Sequence, residues 1–301
     1  MRPKRPRQKS SSPRTRSSAL ARSSRPDSSR GRSLPPKPLR LKPTSRSRPS
    51  EPSRGPGTPN NRPAQRPPTP SASALDSRRA NPLPAYDREI RRLRRHLHGL
   101  DQRGWAAPSH CRGWSVKDVV AHLCTDEVYN QACLEDTLDR LPSASGGLNG
   151  WNARGVRVRR AMPPLEVLQE WEARQERVRR AWGALGLDAR IQTSVGPYPL
   201  RLEIWHLARE YAIHADDIEV PMTARERQAQ LRWRVSFGLV AANEEGEPVD
   251  AEVEGNQVRL WHDGRRYNLD FETFIAYLTN RPQQLKDPAA RRLVRQLGAT
   301  G

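Results

Sequence analysis

From residue 87 onward the chain alternates between stretches of helical periodicity and short breaks rich in Pro and Gly. Ile90, Leu93, Leu97 and Leu100 recur three and four residues apart, which predicts a first helix from Asp87 to about Leu100. Trp105, Pro108 and Gly113 mark a connecting loop. A second helix then opens with a full set of start signals. Ser115 suits the N-cap, Asp118 three residues on can close a capping box, and Trp114 can pack on Val119 as a hydrophobic staple. Val116, Val119, Val120 and Leu123 line the inner side of this helix, His122 lies beside them, and the helix is expected to run to about Leu138.

Ser143 to Gly150 reads as a turn-rich loop. Pro163 and Pro164 suit the first positions of a third helix, with Leu165, Leu168, Trp171, Val178, Trp182 and Leu185 as its apolar positions. Its other side is crowded with charge and reads as an ordinary solvated face. Gly196, Pro197 and Pro199 break the chain again. A fourth helix is expected from about Leu200 to Ile218, with Leu207, Tyr211, His214 and Ile218 near one stripe, Glu203 and Glu210 at its border, and Pro221 after its end. Four helices joined this way predict a mainly α, four-helix bundle. Beyond Arg225 the pattern changes. Leu231 to Ala242 is helical in period. Val258 and Leu260, the turn pair Asp263-Gly264, then Tyr267 and Leu269 read as a β-hairpin, and Phe271 to Leu278 as a short helix. The expected organisation is a tail over 1–80, a helical bundle over 81–224 and a small α+β region over 225–301.

Composition sharpens that division. Residues 1–80 hold 21 Lys plus Arg against 3 Asp plus Glu, 16 of the 28 prolines and no aromatic residue. Such a segment cannot bury enough apolar surface to offset the entropy of ordering, so it is expected to be disordered. The remaining 221 residues are close to neutral and carry all 17 aromatics, enough for one sizeable core. The basic tail has two readings: sequence-independent, salt-sensitive contact with nucleic acid, or a solvated extension with no partner. No run of 18 apolar residues predicts a membrane span, and the start lacks the apolar stretch of a secretory signal. Cys111, Cys124 and Cys133 are odd in number and lack CxxC spacing, which predicts free thiols in a reducing, cytoplasmic setting.

The candidate chemistry lies on the second and fourth helices. Glu210 and His214 are four residues apart, so they project from one helix face a turn apart. His122 sits on another helix. Two imidazoles and a carboxylate suit zinc, with nickel, iron or manganese also compatible, and three protein ligands leave positions open for water, thiol or substrate. The same residues also fit a satisfied core histidine and a chance helical pair. His206, four residues before Glu210, is a rival ligand. Asp217 reads as a local carboxylate near a helix end or as a hydrogen-bond partner of a ligating histidine. Cys111 and Cys124 read as structural, Trp114 and Trp205 as core, and Arg201 and Arg209 as candidates for contact with an anionic substrate.

Two segments carry a family resemblance. Gly113-Trp-Ser-Val-Lys-Asp-Val-Val-Ala-His-Leu123 resembles the first motif of the mycothiol-dependent maleylpyruvate isomerase N-terminal family, a branch of the DinB-like bundles. Arg209-Glu-Tyr-Ala-Ile-His-Ala-Asp-Asp-Ile218 resembles its second motif. Trp151-Asn152, Arg160 and the Pro-Pro-Leu-Glu-Val-Leu helix start add to the likeness, which covers about residues 85–222. The resemblance implies a DinB-like four-helix bundle with a divalent metal held by His122, Glu210 and His214. It further implies a low-molecular-weight thiol as co-substrate and a small electrophile as substrate. Residues 225–301 are shorter than the family's usual C-terminal domain. The functional expectation is thus a metal-binding DinB-like protein acting as a thiol-dependent transferase or isomerase. The alternative is a non-catalytic metal- or ligand-binding scaffold for stress response or sensing, with non-specific nucleic-acid contact through the tail. A homodimer is compatible with either.

Overall fold

The computed structural model describes residues 77–141 and 147–299, all within one compact unit, Pro35–Gly301. The expected disorder of the tail concerns residues almost wholly outside that range. Among the described residues the order is α1 (Leu83–His98), α2 (Gln102–Ala106), α3 (Val116–Glu135), a 3-10 turn (Leu138–Arg140) and α4 (Gly147–Arg159). There follow α5 (Pro164–Leu185), the hairpin β1 (Arg190–Thr193) and β2 (Gly196–Pro199), α6 (Leu200–Asp217) and α7 (Ala224–Glu244). The chain closes with β3 (Asp250–Glu254), β4 (Gln257–His262), β5 (Arg265–Asp270), α8 (Phe271–Leu278), a 3-10 turn (Pro282–Gln284) and α9 (Pro288–Ala299). The protein is mainly α, with a bundle of α1, α3, α5 and α6 followed by a small α+β region.

Local chemistry accounts for the boundaries. Ser115 accepts from the Asp118 amide while Asp118 accepts from the Ser115 amide, a reciprocal capping box that fixes where α3 begins. Asp136, in the left-handed conformation, ends it at Glu135, short of the expected Leu138. Pro82 and Pro84 let α1 begin earlier than Asp87, because proline is tolerated where helix amides have no partner. α5 and α6 start as the prolines predict. Thr223 and Glu226 form a second capping box, which carries α7 back to Ala224 rather than Leu231. The Asp263-Gly264 turn has positive φ at both residues, as a two-residue hairpin between β4 and β5 requires. β3 joins that hairpin as a third antiparallel strand.

Other expectations fail, among them the connecting loop at Trp105, which lies in α2. The segment read as a loop through Gly150 is helical from Gly147, and α4 extends to Arg159. Glycine-rich sequence hid this helix, yet one of its glycines has a packing role. A Cβ at Gly155 would overlap the Thr125 side chain, so α4 can approach α3 only through glycine here. Leu165 and Leu185, assigned to the inner side of α5, are exposed, and Val167 is buried instead. The stretch Gly196 to Pro199 does more than break the chain: it pairs with Arg190–Thr193, and the hairpin delivers the chain to the start of α6.

One apolar cluster joins Leu93, Leu123 and Trp171 of the bundle to Phe237, Leu260 and Phe274 of the C-terminal part. The three cysteines are free and buried. No helix among the described residues is long and apolar enough to cross a membrane.

A carboxylate lies inside this core. Glu127 has no exposed surface; the Tyr86 and Tyr211 hydroxyls donate to its Oε1, and Oε2 has no hydrogen bond. Trp171 Nε1 donates to the Tyr211 hydroxyl at 3.2 Å, extending the network. Burial pushes the Glu127 carboxyl up to about 7 against the opposing pull of the two hydroxyls. A raised folded-state pKa means that the native protein holds a proton that the unfolded chain has released. Stability from this group is therefore complete at low pH and is lost as pH rises from about 4.5 through about 7. Relative to Glu127→Gln, the wild type should lose on the order of 3 kcal/mol of unfolding free energy between pH 4 and pH 8. Denaturant melts at both pH values would measure it, and parallel profiles for the two proteins would contradict it. Gly155→Ala should destabilise by about 1–3 kcal/mol through overpacking, with Thr125→Ala in the same chain restoring most of the loss.

Candidate metal centre

Helices α3 and α6 bring the three predicted residues together. His122 and His214 are buried, and Glu210 is partly open to solvent. Both imidazoles turn Nε2 toward the same oxygen, Glu210 Oε1, at 3.3 Å from His122 and 3.1 Å from His214. The rings meet edge to face with centroids 4.6 Å apart. All three ligand-capable atoms lie within 4.8 Å of one another. Ligands about 2.0–2.1 Å from a tetrahedral ion sit about 3.3 Å apart, and the two imidazole–carboxylate separations, hydrogen-bond distances in themselves, are compatible with that spacing. The donor set and its burial thus fit a divalent cation.

Each ring is fixed by its helix. The capping box sets the start of α3, and His122 follows two turns later on the side facing α6. The half-buried Trp114 lies with its ring 5.4 Å from that of His122. His122 Nδ1 is buried without a hydrogen bond. On α6, Pro199 sets the start, and Glu210 and His214 fall one turn apart. His214 Nδ1 meets Asp217 Oδ2 at 3.1 Å. Asp217 is buried, and it accepts from Arg281 Nε at 3.1 Å, from Gln284 Nε2 at 2.7 Å and from the Cys111 thiol at 3.1 Å. Arg281 and Gln284 lie after α8, so the C-terminal region reaches the far nitrogen of His214 through one carboxylate.

The charges reinforce one another. Burial alone would lower the His214 pKa, but Asp217, Cys111 and Glu210 outweigh it and hold the ring well above the ordinary imidazole value. Burial would raise Glu210, but the two histidines hold it well below the usual carboxylate range. Asp217 is lowered too, with His214 and Arg281 overcoming its burial.

Cys111, His214 and Asp217 form a second group close enough to hold an ion, through the opposite ring nitrogen. The buried Arg281 guanidinium on Asp217 already supplies the positive charge there, which makes this group the support of His214. His206, the rival ligand, is engaged elsewhere: its Nε2 lies 3.1 Å from both the Tyr198 hydroxyl and Glu244 Oε2. Cys124 donates to the Val167 carbonyl, and burial pushes its thiol up to about 12, as suits a structural residue. Trp205 stacks with Phe237 in the core. Arg209 pairs with Glu245 and Arg201 with Asp188.

Sequence reasoning overlooked Asp126, four residues after His122 on α3. Its Oδ2 is buried, 3.4 Å from His122 Nε2, and burial pushes its carboxyl up to about 7. The spacing that singled out Glu210 and His214 would have found it. Cys111, Arg281 and Gln284 carry no local signal, since their contacts with Asp217 span 64 residues or more.

The described residues thus form a mainly helical bundle with a His–Glu–His cluster between two of its helices. Residues 86–219, somewhat under half of the chain, match the family profile described as the mycothiol maleylpyruvate isomerase N-terminal domain. Two solved structures of the mycothiol-dependent maleylpyruvate isomerase, one of them a histidine-to-alanine mutant, are similar to the chain. The mutant has 14% identity and a TM-score of 0.45, the other 16% and 0.44; each match covers 69% of this chain and 88% of theirs. A comparison with curated proteins finds no significant match.

Asp217→Ala would strip Arg281 of its buried partner and His214 of its anchor. It should cost about 3–5 kcal/mol in chemical unfolding, the usual result of orphaning one member of a buried pair. A loss below about 1 kcal/mol would show that the Arg281–Asp217–His214 chain does not organise the site.

Proposed function

We propose that this protein binds a divalent cation, zinc foremost, through His122, Glu210 and His214. We further propose that it acts with a low-molecular-weight thiol on a small electrophile, as an isomerase or transferase. The observation that carries the reading is the convergence of two imidazole nitrogens from different helices on one carboxylate oxygen. The thiol is supported by the family of residues 86–219, whose description names mycothiol. Two nitrogens and an oxygen suit zinc, and a three-residue set leaves room for an exogenous ligand. When bound, such an ion lowers the pKa of a thiol or water beside it, favouring the nucleophilic form at neutral pH.

The remaining tasks belong to the chain itself. Asp217 holds His214 by Nδ1 and so presents Nε2 to the centre. Glu210 supplies negative charge and stays partly open to solvent, marking the side from which small molecules approach. The packing of α3 against α6 shields both imidazoles from water. Residues 81–224 supply the ligands, and residues 225–301 brace them through Arg281 and Gln284.

Elemental analysis of the full-length protein should find about one divalent ion per chain. His214→Ala should retain little of it, because truncating one of three ligands leaves every remaining site half-built. Stoichiometric metal in that variant would overturn the ligand assignment. Turnover of small electrophiles that requires an added thiol, and that falls when the ion is chelated, is the expected catalytic signature. Metal binding without any thiol-dependent turnover would reduce the protein to an ion-binding scaffold.

A further inference from the structure

Two helices each bring an imidazole and a carboxylate, four residues apart, to the same place: His122 and Asp126 on α3, Glu210 and His214 on α6. The family resemblance accounts for three of these groups and leaves Asp126 without a role. Its Oδ2 is buried and accepts no hydrogen bond. The one basic atom paired with it is His122 Nε2 at 3.4 Å, which already stands 3.3 Å from Glu210 Oε1. A neutral imidazole has a single N–H, and it cannot satisfy two carboxylates at once. A buried carboxylate oxygen with so little compensation is costly unless it takes up a proton or a cation joins it.

The geometry points to Asp126 as a fourth group of the ion site, facing the ion directly or through one ion-bound water. This inference rests on the proposed ion reading of His122, Glu210 and His214. With Asp126 included, the surroundings of the ion comprise two imidazoles and two carboxylates, whose charges together balance a divalent cation. Glu210 is then no longer the sole negative charge at the centre, and α3 and α6 contribute matching pairs. The role also gives opposite signs to two measurable effects. Asp126 should destabilise the ion-free protein, where its charge is poorly paired, and strengthen the hold on the ion.

The test compares full-length wild type with Asp126→Asn, a substitution that keeps the shape and removes the charge. Both are freed of metal by chelation and titrated with cobalt(II), followed by its visible absorption, and then with zinc in competition. The ion-free proteins are melted alongside. Asp126→Asn should raise the cobalt dissociation constant 10- to 100-fold, the range seen when groups supporting a metal site are removed, and alter the intensity of the cobalt band. The ion-free variant should melt at or above the temperature of the ion-free wild type. Wild type and variant that bind cobalt within twofold of each other, with the same spectrum, would overturn the role of Asp126 while leaving the three-residue site intact. Weaker binding coupled to a lower ion-free melting temperature would make Asp126 merely structural and overturn it equally. A wild type that takes up no ion would instead sink the ion reading on which this inference stands.

Discussion

Two imidazoles held against a single carboxylate oxygen, between helices that would otherwise pack apolar faces together, set the terms for the rest of the structure. Polar groups withdrawn from water in this way lose hydration that only close, well-aligned partners replace. The bundle must therefore fix both the rotation and the axial position of α3 and α6 to a fraction of a helical turn. The capping box at Ser115 and Asp118 sets one helix, and the hairpin ending at Pro199 sets the other. A close helix approach lies on α3 too: Gly155 lets α4 press on Thr125, three residues past His122.

The ring of His214 shows how a distant segment enters this arrangement. The ring nitrogen of His214 that points away from the centre, Nδ1, is held by Asp217. Asp217 is buried, so its charge needs compensation, which comes as a countercharge from Arg281 and a hydrogen bond from Gln284, both beyond α8. The small α+β region thus contributes to the centre without placing a side chain in it. Cys111 donates its thiol to the same carboxylate, which accounts for a buried cysteine in the loop before α3.

Much of this was legible in the sequence because it depends on local rules. Ser115 with Asp118, the prolines before α5 and α6, the Asp263-Gly264 turn and the four-residue spacing of Glu210 and His214 each act within a few residues. The features that escaped depend on tertiary packing. α4 is rich in glycine and poor in helix propensity, and it is helical because α3 accepts its close approach. Leu165 and Leu185 follow the apolar period of α5 yet face solvent, while Val167 and Trp182 in the same end turns are buried. Arg281 looks like any other arginine until the fold carries it to Asp217. Asp126 is the exception, for its spacing from His122 was visible, and only the fold reveals its buried oxygen beside that ring.

The central claim is that an ion sits on the Nε2 side of His214, among His122, Glu210 and His214, and not on the Nδ1 side with Cys111 and Asp217. X-ray absorption at the zinc edge of zinc-loaded, full-length protein separates the two most directly. The account predicts a first shell of nitrogen and oxygen at about 2.0–2.2 Å with the scattering pattern of two imidazoles and no sulfur. A sulfur neighbour at about 2.3 Å, with a single imidazole, would move the ion to Cys111 and contradict it.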